Sequence, residues 1–239
     1  MTFTAPLNLD NIKVRKSRVH LVGTELEGGW NKLPPNTNVI HDGSVRGMMH
    51  SDFIGELPSP PIELSALPRW MKQYYPTEVN ATCGMHVHLS FKDAFIYQLL
   101  MDKRYPATVL DRTFKWATDK KLSKDHPIWG RLAGNCTYAQ HKFYADIQAN
   151  AKRKEFNREN EGHRYTVINY CWGRFQTLEC RVLPMMSTWE EAVELVNFFV
   201  NTTDKTAIAL ATSKETPRKI KENSIIEEGD EYDEISMVL

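Results

Sequence analysis

Several features that mark secreted, membrane-bound or disulfide-stabilised proteins are missing from this sequence of 239 residues. Its 4 cysteines form no CxxC pair and are too sparse for a disulfide framework. No apolar run approaches the ~20 residues that a membrane-spanning helix needs. Residues 1–18 contain no hydrophobic core followed by a cleavage site, which predicts the absence of a secretion signal. These absences favour a cytoplasmic protein of a reducing compartment, without a membrane partner.

An excess of charge of one sign is also missing, because 30 basic and 30 acidic side chains cancel. A neutral chain has no general attraction for nucleic acid, and the basic side chains in residues 152–161 alternate with acidic ones, so we expect no nucleic-acid partner. The 41% of hydrophobic residues excludes disorder of the whole chain. Acidic residues dominate at 221–239, which predicts a domain at 1–220 followed by a flexible acidic tail.

Glycine-rich phosphate-binding loops are absent, since neither a Walker A motif nor GxGxxG occurs. A bound nucleotide would therefore be held through metal ions and arginines. Arg164 and Arg181, on neighbouring predicted strands, are suitable arginines, whereas Arg131 is a weaker candidate because a lone arginine in a loop is most often a surface residue. No residue context supports a Ser–His–Asp or Cys–His nucleophile.

Hydrophobic periodicity predicts an α+β fold with a curved, mainly antiparallel sheet. Strands are expected at 18–27, 82–91, 164–171 and 174–183, with short extended pieces at 39–45 and 53–57 and a hairpin turn at Trp172–Gly173. Helices are expected at 62–75 (with an interruption at Pro68), 93–101, 109–116 and 189–212. Thr188 and Glu191 have the spacing of a capping box for the last helix.

Three of these strands carry polar pairs separated by one residue, which places both members of each pair on one face. A solvated face explains any single pair, because charged side chains are usually exposed. Three pairs together favour a binding surface, since these residue types bind cations and phosphates. The pairs are Glu25 and Glu27, His86 and His88, and Glu179 and Arg181.

Two further acids, Asp42 and Glu56, lie in short segments bounded by turns. With the glutamates of the strands they would bring five carboxylates to one surface, where they raise one another's pKa values unless cations neutralise them. Divalent metal ions are the simplest cations that would neutralise these carboxylates. Oxygen donors with one or two imidazoles suit Mg²⁺ or Mn²⁺, and a zinc site at Cys83 and His86 is disfavoured.

Six short motifs in order resemble the amidoligase family, which shares the fold of glutamine synthetase and glutamate–cysteine ligase. They run from Gly23 to Arg181, a span of about two-thirds of the chain, and read GTELEGG, HDGSV, GELPSPP, CGMHVHLS, HRYTVIN and TLECR. The resemblance implies an ATP-dependent ligase that joins a carboxylate to an amine. It also implies a half-barrel sheet with helices on its outer face, and two or three Mg²⁺ or Mn²⁺ ions between nucleotide and substrate.

The resemblance further implies roles for single residues. Glu27, Asp42 and Glu56 would hold one ion, and Glu25, His86 and Glu179 another. His88 would face the nucleotide phosphates, and Arg181 and Arg164 would contact the transferred phosphoryl group as catalytic and ATP-binding arginines. Asn169 stands where glutamine synthetase has a second arginine, and it is a candidate for substrate contact. Arg131 and Tyr138 are further candidates, which lie in the segment 120–162 where the motifs give no signal.

Other functions remain open on the sequence alone. A metal-dependent hydrolase would use the same histidines and carboxylates without ATP, and a non-catalytic protein on a degenerate ligase fold would be expected to lack some ligands. The carboxylate substrate, small molecule or peptide, and the amine are not specified, and the general base is not identified. An oligomer is possible, but the oligomeric state of glutamine synthetase does not transfer, because the sequence lacks the N-terminal domain that helps to build the multimeric active site of that enzyme.

Overall fold

A computed structural model describes residues 4–141, 165–171 and 175–213. Its five strands are β1 (Val19–Trp30), β2 (Phe53–Pro58), β3 (Met85–Phe91), β4 (Ile168–Cys171) and β5 (Thr177–Cys180). They form a central sheet of order β2-β1-β3-β5-β4, in which every neighbouring pair is antiparallel and which does not close into a barrel. The predicted α+β class with an antiparallel sheet is therefore confirmed.

Helices accompany the sheet, and the described part of the chain contains five α-helices preceded by a 3₁₀ turn at Leu64–Ala66. The helices are α1 (Leu67–Tyr74), α2 (Ala94–Leu100), α3 (Arg104–Asp119), α4 (Pro127–Leu132) and α5 (Trp189–Thr212). The longest of them, α5, contacts α1, α2 and α3. No described helix combines the length and hydropathy that crossing a membrane requires.

The two faces of the sheet differ in chemistry, as the alternation along each strand predicts. One face carries Leu26, Val87 and Leu178, which are fully buried in a single hydrophobic core shared with Leu195 and Phe199 of α5. Each buried aliphatic or aromatic side chain contributes about 1.5–3 kcal/mol. The opposite face carries the polar pairs, so the helices support the sheet from behind the polar surface.

Two helix starts show how local sequence decides boundaries. The helix predicted at 62–75 begins only at Leu67, because Pro68 lies in its first turn, where the missing N–H costs nothing. The predicted interruption at Pro68 is therefore the start of the helix. The helix predicted at 189–212 is confirmed, and Thr188 and Glu191 form the reciprocal capping box.

Some sequence predictions fall on residues outside the described ranges. These are the hairpin turn at Trp172–Gly173, the position of Arg164, and the tail at 221–239, which remain predictions.

The capping box of α5 provides a test of the fold. We expect Thr188→Ala to lower the free energy of unfolding by about 0.5–2 kcal/mol, because the backbone N–H of Glu191 loses its acceptor. Urea denaturation measures the change. Thr118→Ala is the matched control, since that hydroxyl only bonds back to the carbonyl of Phe114 within α3. Equal losses in the two variants would contradict the assigned role of the cap.

Candidate metal centre

Strand register brings the polar pairs together on one face. Glu25 on β1 is opposite His86 on β3, and His88 is opposite Glu179 on β5. Glu27 is opposite Glu56 on β2. Directly opposite residues on neighbouring strands have Cβ atoms about 4.5–5.5 Å apart, so their side chains meet. Residues separated by up to 154 positions in the sequence thus share one surface.

Asp42 joins this surface through a bridge at the outer edge of β2. The backbone of Ile40 exchanges two hydrogen bonds of 2.8 and 2.9 Å with that of Glu56, which places Asp42 close to the edge strand. One oxygen of Asp42 accepts a 2.7 Å bond from the N–H of Ser44, which fixes the carboxylate within its turn. We call the complete set the acid–histidine cluster: Glu25, Glu27, Asp42, Glu56, His86, His88 and Glu179.

The cluster contains three groups of residues that each offer three ligand atoms within 4.8 Å of one another. All six residues predicted as metal ligands belong to at least one group, and so does His88. The first group, Glu27 with Asp42 and Glu56, is the same trio that the amidoligase resemblance assigns to one ion. The other two groups are Glu25, Glu56 and His86, and Glu25, His88 and Glu179.

The two histidines lie between the carboxylates. His86 Nδ1 is 2.9 Å from Glu25, and its Nε2 is 3.4 Å from Glu27. His88 Nε2 is 3.0 Å from Glu25, and its Nδ1 is 3.2 Å from the hydroxyl of Thr177. Glu25 therefore joins both imidazoles. His86 Nδ1 is 3.6 Å from Glu179, so it also approaches the carboxylate with which the resemblance pairs it.

Neighbouring charges shift the pKa values of the cluster in opposite directions. Burial raises the pKa of Glu25, but its hydrogen bonds to His86 and His88 outweigh burial and hold that pKa well below its usual range. Burial likewise raises the pKa of Glu179, and the charges of Arg181, His88 and His86 together bring it below its usual value. Burial lowers the pKa of His88, and the contacts with Glu25 and Glu179 reverse this to a net increase.

Glu56 behaves differently, since within the described ranges of the chain it forms no ion pair. Burial, followed by the charges of Glu25, Glu27 and Asp42, raises its pKa from 4.5 to about 8. Burial contributes most to this rise, and the three neighbouring carboxylates add to it, which indicates more negative charge at this surface than its own arginine and histidines balance. The donor set, mainly carboxylate oxygen with imidazole, fits Mg²⁺ or Mn²⁺.

Arg181 lies beside the cluster and is held from several sides. Its Nη1 forms an ion pair with Glu179, and its Nε donates a 3.1 Å bond to the backbone carbonyl of Tyr138. The guanidinium carbon lies 5.6 Å from the ring centre of Tyr165, at cation–π distance. Burial lowers the pKa of Arg181, but the charges of Glu179 and Glu25 raise it overall, so the residue is a fixed cation.

The three residues predicted to contact substrate occupy different positions. Tyr138 is 40% exposed and packs edge-to-face against Tyr165, 5.3 Å between ring centres. Arg131 is only 7% exposed, and its Nη1 lies 3.4 Å from the backbone oxygen of Arg181. Asn169 is buried and donates to Glu179 at 2.7 Å. Of the three, only Tyr138 presents a large exposed surface.

Gly84 also belongs to the site, although the sequence did not identify it as a functional residue. Its backbone N–H donates a 2.5 Å bond to Glu27, and a Cβ at this position would lie 3.0 Å from Arg131 and 3.2 Å from Glu27. The absence of a side chain thus allows Arg131 and Glu27 to approach the same point. The glycine in CGMHVHLS was the available signal, but a backbone donor leaves no trace in strand alternation.

Phe175 was also missed. Its ring is 51% exposed and meets the His88 ring edge-to-face at 6.0 Å, at the rim of the cluster. No polar pattern marks such a residue.

Comparison with protein-family models, curated proteins and solved structures finds no match to this chain. The function is therefore argued from the chemistry of the acid–histidine cluster.

The raised pKa of Glu56 gives a stability test in metal-free protein. Because the pKa of Glu56 is higher in the folded protein than in the unfolded chain, its protonated form contributes to stability. This contribution is complete below about pH 4.5 and is lost as the pH rises through about 8. The side chain of Glu56→Gln stays neutral at every pH. The free energy of unfolding of this variant, relative to that of the wild type, should therefore rise between about pH 4.5 and 8. Because Glu56 is partly exposed, we expect a gain on the order of 1–3 kcal/mol above pH 8.

Urea denaturation in a chelating buffer from pH 4 to 9 measures this difference. Glu63→Gln, at an exposed glutamate nearby in the sequence, serves as the control and should show no pH-dependent gain. A Glu56→Gln protein whose stability relative to the wild type is flat with pH would contradict the crowding of carboxylates.

Proposed function

We propose that this chain is an ATP-dependent carboxylate–amine ligase that forms an amide bond through an acyl-phosphate intermediate. The observation that carries the proposal is the convergence of six candidate metal ligands and His88 into one cluster next to Arg181. These are the residues that the amidoligase motifs mark. On this proposal the open antiparallel sheet is the curved half-barrel of a glutamine synthetase-like catalytic domain, with helices on its outer face.

The chemical problem is that a carboxylate is a poor electrophile. In the first proposed step a carboxylate oxygen attacks the γ-phosphorus of ATP, the bond from that phosphorus to the β,γ-bridging oxygen breaks, and ADP leaves. In the second step the amine nitrogen attacks the acyl carbon, inorganic phosphate leaves, and the nitrogen loses a proton. Holding the two reactants in line contributes up to about 7–11 kcal/mol of the rate acceleration.

The residues of the acid–histidine cluster would hold Mg²⁺ or Mn²⁺, with Glu27, Asp42 and Glu56 as the best-defined set. Such ions neutralise phosphate charge during phosphoryl transfer when they are bound. Glu25 connects the remaining ligands because it contacts both histidines.

The chain's own cations have distinct proposed roles. Arg181, already fixed by Glu179 and the Tyr138 carbonyl, supplies a preorganised positive charge for the transferring phosphoryl group. His88, whose pKa is raised, lies at the rim of the cluster, where its ring would donate a hydrogen bond to a phosphate oxygen. Arg164 remains the second proposed phosphate-binding arginine and lies outside the described residues. Tyr138, exposed next to Arg181, is the proposed contact for the carboxylate or amine substrate.

An assay with a generic amine tests the proposal without knowledge of the natural substrate. The protein is incubated with ATP, Mg²⁺ or Mn²⁺, a panel of carboxylic acids and hydroxylamine, and both ADP and hydroxamate are measured. We expect ADP and hydroxamate to form in equal amounts with an acceptable acid. Amide hydrolysis that needs metal and no ATP would replace the ligase proposal with the metal-dependent hydrolase.

Two substitutions test the cluster itself. Glu27→Gln and Glu179→Gln should each reduce ligation by at least about 10²–10³-fold, because each removes a charge placed for ion binding. Near-ultraviolet circular dichroism should show an unchanged fold. Glu194→Gln is the control, since Glu194 forms only a surface ion pair with Lys120, and its activity should equal that of the wild type. Wild-type turnover in either cluster variant would contradict the proposal.

A further inference from the structure

Asn169 on β4 lies directly opposite Glu179 on β5, and its Nδ2 donates a 2.7 Å hydrogen bond to Glu179 Oε2. We infer that Asn169 is a positioning residue that orients Glu179 toward the cation held by Glu25, His88 and Glu179, and that it does not contact substrate. The inference rests on the proposed metal centre and assigns a role within it. Asn169 and Glu179 are 8% and 3% exposed, so water does not compete for this bond.

Glu179 is fixed at both oxygens. Oε1 pairs with the Arg181 guanidinium, and Oε2 accepts from Asn169. Each carboxylate oxygen offers two acceptor positions, so Oε1, which accepts from Arg181, keeps a second lone pair for an ion, whereas Oε2 also lies 3.7 Å from the thiol of Cys171. The two donors together prevent the carboxylate from rotating. The ligand on the four-residue strand β5 therefore keeps one orientation.

The neutrality of the amide explains why an asparagine suits this register position. Arg181 already opposes the charge of Glu179 through their ion pair. A second cation at position 169 would weaken the attraction of the Glu25, His88 and Glu179 group for a divalent ion. An amide orients the carboxylate and leaves its charge available. The departure from the second arginine of glutamine synthetase therefore favours ion binding on this side of the cluster.

The hydrogen-bond inventory disfavours the substrate contact predicted from the sequence. An asparagine amide has two N–H donors. Within the described residues, Nδ2 is 2.7 Å from Glu179 Oε2 and 3.1 Å from Cys171 Sγ, so both donors have partners inside the protein. A substrate that accepts a hydrogen bond from this amide would have to displace one of these contacts from a buried position.

Titration of the full chain with Mn²⁺, followed by electron paramagnetic resonance of the free ion, tests the inference. Asn169→Leu keeps a similar volume and removes the donor. We expect it to weaken one class of Mn²⁺ site by about 10–100-fold and to leave the other class unchanged. Asp42→Asn identifies that other class, since Asp42 belongs only to the group with Glu27 and Glu56. Cys171→Ala is the control, because its sulfur lies 3.7 Å from the same oxygen of Glu179, and both classes should keep their affinity.

Three results would overturn the inference. They are unchanged Mn²⁺ affinities in Asn169→Leu, a raised KM for the acid or amine without a change in Mn²⁺ binding, and an equal loss of both classes together with a lower Tm. Asn169→Ala repeats the test if the leucine variant does not fold. A wild-type chain that binds no Mn²⁺ would instead remove the proposed metal centre itself, so the two failures are distinguishable.

Discussion

Electrostatic repulsion among five carboxylates on one face of an antiparallel sheet is the constraint on which the rest of the site depends. Side chains on a sheet alternate between faces, so the acids of β1 are directed away from the core by the burial of Leu26 between them. A flexible surface would relieve the repulsion by separating the charges. Here the strand register prevents that separation, and Arg181 and the two histidines relieve only part of it.

The core behind the sheet makes this rigidity possible. The 24-residue helix α5 contacts α1, α2 and α3 and shares one hydrophobic core with residues of the inner face of the sheet. One buried face therefore anchors β1, β3 and β5 together. Because this packing fixes the strands, it also fixes the positions of the polar residues on their opposite face. An electrostatic site needs this preorganisation.

Sequence reasoning identified the cluster members on β1, β3 and β5 because their spacing carries a period of two, whereas Asp42 and Glu56 were identified as acids in short segments bounded by turns. Glu25 and Glu27, and His86 and His88, had to share a face once their strands existed. The neighbours across strands could not be read in the same way, because register depends on packing between segments far apart in the chain. The pairing of His88 with Glu179 and the turning of Asn169 toward that carboxylate needed the three-dimensional structure.

The bridge between Ile40 and Glu56 has a second effect besides delivering Asp42. It satisfies backbone groups on the outer side of β2, which would otherwise be an unpaired edge open to strands of other molecules. Gly55, at φ +154°, permits the close approach, because a Cβ there would collide with the Ile40 carbonyl. Protection against self-association and assembly of the chemical site thus depend on one short loop, so selection on either property restrains change in the other.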